Sequence, residues 1–408
     1  MLRRLLALLL LLLFYCPSAS ADDSPVLRLL SPRLNYFISK EATLELKDAS
    51  GSILSSSVLL RYRGSTSAFY EGKRNYRLTL TDVEGEPLCL SLLGLREDDD
   101  WLLDGMYGDL SRLRNRTAMD LWDSLYTLPW CNASGAIHGT LTELWFNDIC
   151  KGIYALNERL DRKQLQLSKH GGRIYKTINP SQDGVDLTDF SGTDLSLPSA
   201  EDQTWYNFEV NWSGDSGNPW SSLVTLWQFV STADDETFAQ DVWKYLDAEN
   251  CADYYVFINM LGCSDNMCKN MIFCVQDTRK EERLYLIPWD LDASLGRLYD
   301  NTEAPTDVLF SNGLFERLLQ LPAFCELVRS RYALWRSDKL SLFQVQSAMQ
   351  TYIDYYETNG HLSLEESCFP EYKNALTGAV IPLSVRDEWS YMIEWLTERY
   401  TFLDGLWL

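Results

Sequence analysis

The chain has 408 residues, of which 46% are hydrophobic and 13% aromatic, so it can build a buried core and is not an intrinsically disordered protein. Its formal net charge of −22 repels nucleic acid and anionic membranes, which argues against any function based on polyanion binding. A phosphate-bearing ligand would therefore have to be held by local cations or by metal ions.

The first 21 residues have the pattern of a secretory signal peptide. Two arginines precede an apolar run over residues 5–15, and Ala19-Ser20-Ala21 follows as a small-residue cleavage site. The apolar run is shorter than the roughly 20 residues that cross a bilayer, so a permanent membrane anchor is not expected. We therefore expect residues 1–21 to be removed, leaving a secreted or extracytoplasmic protein with no integral membrane segment.

Residues 22–178 are predicted to form a β-rich N-terminal lobe. Short runs of alternating apolar and polar residues recur between Val26 and Leu95, and this period of two is typical of half-buried strands. Apolar residues at helical spacing between 110 and 128 predict a helix that packs on the sheet. Two further strands are expected on either side of Asn147-Asp148, which has the composition of a hairpin turn.

The second half of the chain is predicted to be mainly helical. Residues 179–222 are rich in Asp, Ser, Gly, Asn and Pro, which indicates a loop-rich insertion or linker, although its aromatic residues suggest partial docking. Residues 223–408 are predicted to form a helical C-terminal lobe, with helices over 223–246 and 252–261 and short buried strands at 271–275 and 284–287. The expected fold class is therefore α+β.

Nine cysteines follow the predicted signal peptide, so they cannot all pair within one chain. Cys263, Cys268 and Cys274 cluster, but their spacings differ from those of a zinc-binding C-x-x-C motif, and the chain has only three histidines. We therefore expect a mixture of disulfides and buried thiols rather than a zinc site.

The most informative segment runs from Ser264 to Phe273 and places Asp265 five residues before Asn270. Phosphoryl transfer requires a carboxylate that orients the attacking hydroxyl and an amide oxygen that holds a metal ion, and protein kinases meet this need with a D-x-x-x-x-N loop. The pair alone is a weak signal, because Asp and Asn are common in turns. An ordinary Asx-turn is the alternative interpretation.

A second segment, Pro288-Trp289-Asp290-Leu291-Asp292, follows an apolar strand. Asp290 and Asp292 project to the same side if the backbone stays extended. Two adjacent carboxylates repel each other unless a divalent cation lies between them, and Mg²⁺ typically binds one or two carboxylates together with phosphate oxygens. Kinases place a metal-binding aspartate at such a strand end, after the catalytic loop. The alternative interpretation is a helix N-cap at Asp292.

These segments together resemble the spore coat protein H (CotH) family of secreted atypical protein kinases. Pro288-Trp289-Asp290-Leu291-Asp292, followed by Gly296, is similar to the P-W-D-x-D signature of that family. The resemblance extends from about Val26 to beyond Gly296. Further similar segments occur in the family order at residues 61–65, 73–78, 100–103, 109–115, 143–147 and 152–158.

By this resemblance the chain adopts a two-lobed atypical protein-kinase-like fold and uses ATP with Mg²⁺ or Mn²⁺. Asp265 is implied to be the catalytic aspartate, and the implied metal ligands are Asn270, Asp290 and Asp292. The residues that could contact the nucleotide are Arg63, Gly64, Ser65, Lys73, Arg77, Arg114, Glu158 and Lys176. The chain departs from typical kinases in lacking a G-x-G-x-x-G loop and in having Cys263-Ser264 rather than His-Arg before Asp265.

The implied function is transfer of the ATP γ-phosphate to serine or threonine, with tyrosine as a further acceptor, on extracellular, coat or envelope proteins. Two alternatives remain from the sequence. One is a catalytically silent CotH-like module that serves as a surface-binding or structural protein. The other is a metal-dependent hydrolase, which would use the same carboxylates but without the histidines that such enzymes usually contain. The joint presence of Asp265, Asn270, Asp290 and Asp292 favours the kinase.

Overall fold

The computed structural model describes residues 24–34, 38–64, 67, 73–179, 196–374 and 377–408. The predicted signal peptide, Ser65 and most of the first half of the predicted 179–222 insertion lie outside the described residues. Helices and strands are both abundant, in agreement with the α+β class expected from the sequence.

The first nine strands belong to the N-terminal part of the chain. They are β1 (Val26–Leu30), β2 (Lys40–Lys47), β3 (Ile53–Arg63), β4 (Asn75–Thr81), β5 (Leu90–Ser91), β6 (Glu97–Asp98), β7 (Asp100–Asp104), β8 (Gly139–Phe146) and β9 (Ile149–Asn157). Seven of them close into a barrel in the order β1-β2-β3-β4-β7-β9-β8. The β1–β8 pairing is parallel, and the other pairings are antiparallel.

The barrel interior is filled by the apolar residues of the alternating runs. Leu44 and Leu46 of β2, for example, point inward while Thr43 and Glu45 are exposed, so the period of two in the sequence becomes the two faces of the sheet. The predicted turn at Asn147-Asp148 joins β8 to β9, with φ values of +49° and +62°. Both residues tolerate this left-handed conformation, which a two-residue hairpin turn requires.

A second, five-stranded sheet lies beyond the barrel. Its strands are β10 (Arg173–Thr177), β11 (Thr204–Trp205), β12 (Phe208–Ser213), β13 (Met271–Val275) and β14 (Tyr285–Pro288), in the order β11-β12-β10-β13-β14. β12 falls inside the predicted loop-rich insertion and pairs along the length of β10. The polar residues of β12 give this segment the composition of a loop, so composition did not predict the strand. Trp205 of β11 and Phe208 of β12 are buried, in agreement with the docking expected for this region.

The helices are α1 (Arg114–Leu125), α2 (Ser221–Thr232), α3 (Asp235–Asp241), α4 (Ala248–Leu261), α5 (Gly313–Leu318), α6 (Pro322–Ser337), α7 (Leu342–Thr358), α8 (His361–Cys368) and α9 (Val385–Trp407), with a hairpin of β15 (Glu371–Lys373) and β16 (Val380–Pro382) before α9. The apolar run from 223 to 246 is divided because Asp234 starts a new helix, accepting a hydrogen bond from Thr237 N at 2.8 Å. Within the described ranges, no helix combines the length and apolar character needed to cross a membrane.

Helix α4 is buried along almost its whole length and positions the loop that follows it. Asp247 caps its first turn by accepting a hydrogen bond from Asn250 N at 2.9 Å. Gly262 ends it with a φ of +69°, and a Cβ atom at this position would overlap the ring of Trp395 in α9. The close approach of α9 therefore fixes the point at which the chain leaves α4.

Candidate active site

A cleft of about 1220 Å³ lies where barrel strands, α1 and the five-stranded sheet meet. The loop after α4 and the segment after β14 both end in this cleft, although they are separate in the chain. The residues predicted from the sequence that line it are Arg63, Gly64, Arg77, Lys176, Asp265, Asn270, Asp290 and Asp292.

The loop after α4 holds Asp265 and Asn270 against each other. A short 3₁₀ helix, Ser264–Met267, turns the chain, and Asn270 then adopts a φ of +61°. The Asn270 amide donates a hydrogen bond to Asp265 Oδ2 at 2.7 Å. Asn270 is buried, yet its Oδ1 accepts no hydrogen bond from the described residues. An unsatisfied buried carbonyl oxygen beside carboxylates is a ready ligand for a cation.

The segment after β14 carries the two aspartates of the P-W-D-x-D motif. Trp289 N donates to Asn270 O at 3.1 Å, which extends the β13–β14 pairing up to the site. Asp290 then adopts a φ of +56°, so the backbone leaves the extended conformation on which the sequence argument relied. Leu291 N donates to Asn115 Oδ1 at 3.0 Å, and this contact anchors the segment to α1.

Asn266 connects the two segments directly. Its side chain is fully buried, and its amide donates to Trp289 O at 2.7 Å and to Asn270 O at 3.2 Å. These carbonyls belong to Asn270 itself and to the residue before Asp290, the two left-handed positions of the site. Strained backbone of this kind persists only where surrounding contacts hold it, and Asn266 supplies two of them.

Four aspartates line the cleft without an ion pair to any residue that the structure describes, and we call them the acidic wall: Asp104, Asp265, Asp290 and Asp292. Burial raises the pKa of Asp265 to about 6, and the charge of Asp290 acts in the same direction, whereas Lys269 and Lys176 oppose it. Asp292 borders the solvent of the cleft but is enclosed by protein elsewhere, so partial desolvation and repulsion from Asp290 raise its pKa as well. Burial likewise raises the pKa of Asp104.

Another part of the cleft lining is rich in cations, although the chain as a whole is acidic. Arg77 donates two hydrogen bonds to Asp100, at 2.7 and 2.5 Å, and Arg159 donates a third to the same carboxylate at 2.6 Å. Arg61 lies opposite Arg77 across the β3–β4 pairing. Three guanidinium groups thus surround one carboxylate, which leaves a net positive charge for an anionic group to neutralise.

The sequence profile of CotH kinase proteins matches residues 60–403, which is most of the chain. The chain belongs to the CotH kinase protein family. This confirms the resemblance found in the sequence, and the matched region includes every residue that lines the cleft. No curated protein matches the chain.

Three residues that the CotH resemblance proposed as nucleotide contacts are engaged elsewhere in the protein. Lys73 is fully buried and pairs with Glu365 of α8, which also accepts a hydrogen bond from Arg112 Nε at 2.7 Å. We call Lys73, Arg112 and Glu365 the buried ion cluster.

Arg114 and Glu158 are likewise committed to other partners. Arg114 pairs with Asp109 at 2.9 Å and with Glu388 at 2.6 Å, and it is fully buried. Glu158 is buried and accepts a hydrogen bond from Arg96 N at 2.9 Å. The structure does not bring Lys73, Arg114 or Glu158 to the lining of the cleft, because each charge is neutralised inside the protein.

Sequence reasoning missed Asp104, Asn115 and Lys269 as members of the site. Asp104 ends β7, immediately after the Asp100-Trp101-Leu102-Leu103 segment of the resemblance, and Asn115 ends the segment that contains Arg114. Their side chains approach each other, with Asn115 Nδ2 donating to Asp104 Oδ2 at 3.4 Å. A polar residue at the end of a buried strand was the available signal for Asp104.

The donor set of the acidic wall fits a hard divalent cation. It combines carboxylates with the unsatisfied amide oxygen of Asn270, and oxygen ligands of this type suit Mg²⁺ or Mn²⁺. The raised pKa values of Asp265 and Asp292 also favour a cation at this place, because a bound cation would neutralise the crowded negative charge that contributes to raising them.

Proposed function

We propose that this CotH-family chain is a protein kinase that transfers the γ-phosphate of ATP to a serine or threonine hydroxyl, with tyrosine as a further acceptor. One observation carries the proposal: buried Asp265 is held by Asn270 in the same cleft as Asp290 and Asp292. A proton acceptor and a set of metal ligands thus stand together, which is the requirement of phosphoryl transfer.

We assign Asp265 to the substrate hydroxyl. The Asn270 amide fixes the direction of its carboxylate, and a pKa of about 6 leaves it ionised at neutral pH but with more proton affinity than an exposed aspartate. Such a group can orient the hydroxyl and accept its proton as the oxygen attacks phosphorus. Burial also excludes water that would compete for the phosphoryl group.

We assign Asn270, Asp290 and Asp292 to the divalent cation that accompanies ATP. The cation supplies charge neutralisation at the phosphate oxygens, while these residues fix where that charge lies. Asp104 lies in the same wall and adds negative charge that favours cation binding. Asn115 positions the segment by holding Leu291 N.

For the phosphates themselves we propose Lys176, Arg63 and the backbone N–H of Gly64. Lys176 extends from β10 into the cleft and lies within electrostatic reach of Asp290. Arg77 also lines the cleft, but its Nε and one of its terminal nitrogens already donate to Asp100. We therefore assign Arg77 to maintaining the positive charge of this part of the cleft. These cations lie beside the acidic wall, an arrangement that suits a metal ion bound to a polyphosphate.

We further propose that the barrel-bearing region, 22–178, and the helical region, 223–408, act as the two lobes of an atypical kinase, with 179–222 between them. The substrates we propose are extracellular, coat or envelope proteins, reached after export directed by residues 1–21. These assignments rest on the sequence pattern of the leader and on the kinase character of the family.

Asp265→Asn tests the assignment of the base, because it keeps the size and the hydrogen bond from Asn270 but removes the charge. We expect phosphate transfer from Mg-ATP to the protein itself or to coat extracts to fall by about 10²–10⁴-fold, while nucleotide binding survives. Asp247→Asn is the matched control: it lies at the opposite end of α4, where asparagine caps a helix as well as aspartate does. Near wild-type labelling by Asp265→Asn would contradict the kinase assignment and favour a catalytically silent module.

A further inference from the structure

Cys150 and Cys368 lie side by side although they are far apart in the chain. Cys150 belongs to β9 of the barrel, and Cys368 is the last residue of α8. Burial raises the pKa of the Cys150 thiol and interaction with the Cys368 thiol raises it further, so the two side chains are neighbours; both are free thiols in the structure. Gly152 N also donates to Cys150 Sγ at 3.5 Å, so the Cys150 side chain is held near the backbone of its own strand.

Independent contacts place α8 against the same part of β9. Glu365 Oε2 accepts a hydrogen bond from Ile153 N at 3.0 Å, and a Cβ atom on Gly152 would collide with the Glu365 carboxylate. Cys368 follows Glu365 by about one helical turn, and Cys150 precedes Gly152 by two residues along the strand. The packing that brings Glu365 to Gly152 therefore also brings the two sulfur atoms together.

The environment of this pair suits oxidation. Both side chains are partly accessible, whereas Cys251, Cys263 and Cys274 are fully buried. Replacing Gly152 by a larger residue would force Glu365 away, so close packing of α8 on β9 is a requirement of this fold. The contacts of Glu365 with Gly152 and Ile153 already hold the two chain segments together, and such an approach of the segments is a condition for a disulfide between them.

We propose that Cys150 and Cys368 form a disulfide that fastens α8, and with it the buried ion cluster, to the barrel. The two thiols lose two protons and two electrons as one S–S bond forms. A small-molecule disulfide such as oxidised glutathione accepts the electrons, forms a mixed disulfide with one cysteine, and leaves as two molecules of reduced glutathione. The bond closes a loop of more than 200 residues, so it restricts the unfolded chain strongly.

The test uses the full-length purified protein after incubation with oxidised glutathione or with a phosphine reductant. Digestion after glutamate yields peptides 144–158 and 367–371, which contain Cys150 and Cys368 as their only cysteines. Mass spectrometry of the oxidised sample is expected to show these two peptides joined and to show them separate after reduction. Recovery of both peptides as alkylated free thiols, as glutathione adducts, or joined to other cysteines would overturn the proposal.

A thermal measurement gives a second, independent readout on the same samples. Oxidation is expected to raise the melting temperature of the wild-type protein by several degrees, and reduction is expected to reverse this. Cys150→Ser and Cys368→Ser should each abolish the shift, whereas Cys89→Ser, at an exposed cysteine, should retain it. Equal melting temperatures of oxidised and reduced wild-type protein would contradict the proposed cross-link, and this comparison does not depend on the variants folding.

Discussion

The buried ion cluster and the acidic wall both gather charged residues from distant parts of the chain, but they balance charge in opposite ways. In the cluster, Glu365 is enclosed between Lys73 and Arg112, and all three side chains are sealed from solvent. In the wall, carboxylates line an open cleft, and the charge of Asp290 adds to burial in raising the pKa values of Asp265 and Asp292. Removing one partner from a buried ion cluster strongly destabilises a fold, whereas carboxylates without a paired cation in a cleft are characteristic of a ligand-binding site.

The largest effect on nucleotide binding is expected from Asp290→Asn, which removes one charge from the acidic wall. Asparagine tolerates the left-handed φ of +56°, so the backbone is preserved. The affinity for ATP in the presence of Mg²⁺ should fall by at least about 10–100-fold. A loss of this size is typical even when the mutated residue only hydrogen-bonds to a metal ligand. Titration calorimetry with and without Mg²⁺ measures this directly.

The matched control is Asp148→Asn, another aspartate with a left-handed φ, at an exposed turn of the barrel. It should leave the affinity unchanged. Because repulsion within the wall is relieved, Asp290→Asn should also melt at a slightly higher temperature than the wild type when no metal is present. An unchanged magnesium-dependent affinity would show that Asp290 is not a metal ligand.

Glu365→Ala should have the largest effect on stability, since it leaves Lys73 and Arg112 buried without their shared partner. Breaking a buried ion pair typically costs about 3–5 kcal/mol of unfolding free energy. Urea denaturation measures the loss, and Glu366→Ala in the same helix is the control, with little change expected. Glu365→Gln is the milder variant if the alanine variant does not fold. A loss of unfolding free energy below about 1 kcal/mol for both Glu365 variants would be the value of a surface ion pair. It would contradict the view that the buried ion cluster stabilises the fold.

Asn266→Ala tests whether the two segments of the site are held in register by one side chain. Losing its two hydrogen bonds should cost about 1–3 kcal/mol of stability and weaken Mg²⁺-dependent ATP binding. Asn259→Ala removes another buried asparagine amide that bridges two backbone carbonyls, but away from the cleft. It should destabilise the protein without a specific loss of metal-dependent affinity, and the same loss in both variants would argue that Asn266 acts only on stability.

The smallest effect is a pH dependence in α8, which carries Glu365. Burial lowers the pKa of His361 to about 4 from its ordinary value of 6.5. Between pH 6.5 and pH 4, His361 is therefore protonated in the unfolded chain but not in the folded protein. The free energy of unfolding is highest above pH 6.5 and decreases as the pH falls toward 4. His361→Phe keeps the ring contact with Tyr355 and removes the titration.

Relative to wild type, His361→Phe should gain about 1–3 kcal/mol of stability between pH 7 and pH 4.5. Denaturation of both proteins at a series of pH values checks this. A constant difference between wild type and His361→Phe across the range would mean that folding does not lower the pKa of His361.

Much of the fold could be predicted because its signals are local. The alternating residues of β2, the hairpin turn at Asn147-Asp148 and the buried strand β13 were all visible as short patterns. Strand β12 was not, because its polar composition is typical of a loop and its strand character depends on pairing with β10. The division between α2 and α3 was also missed, since a single capping aspartate interrupts an otherwise continuous apolar run.

For the site, the sequence by itself determined the two segments that carry Asp265, Asn270, Asp290 and Asp292, since each motif is only a few residues long. Only the tertiary structure decided which charged groups join them. Lys73, Arg114 and Glu158 were indistinguishable from Lys176 and Arg63 in the sequence, yet folding commits the first three to buried partners and leaves the other two in the cleft. The physical reason is that a side chain's charge is neutralised by whatever packs against it, and these partners lie up to 292 residues away in the chain.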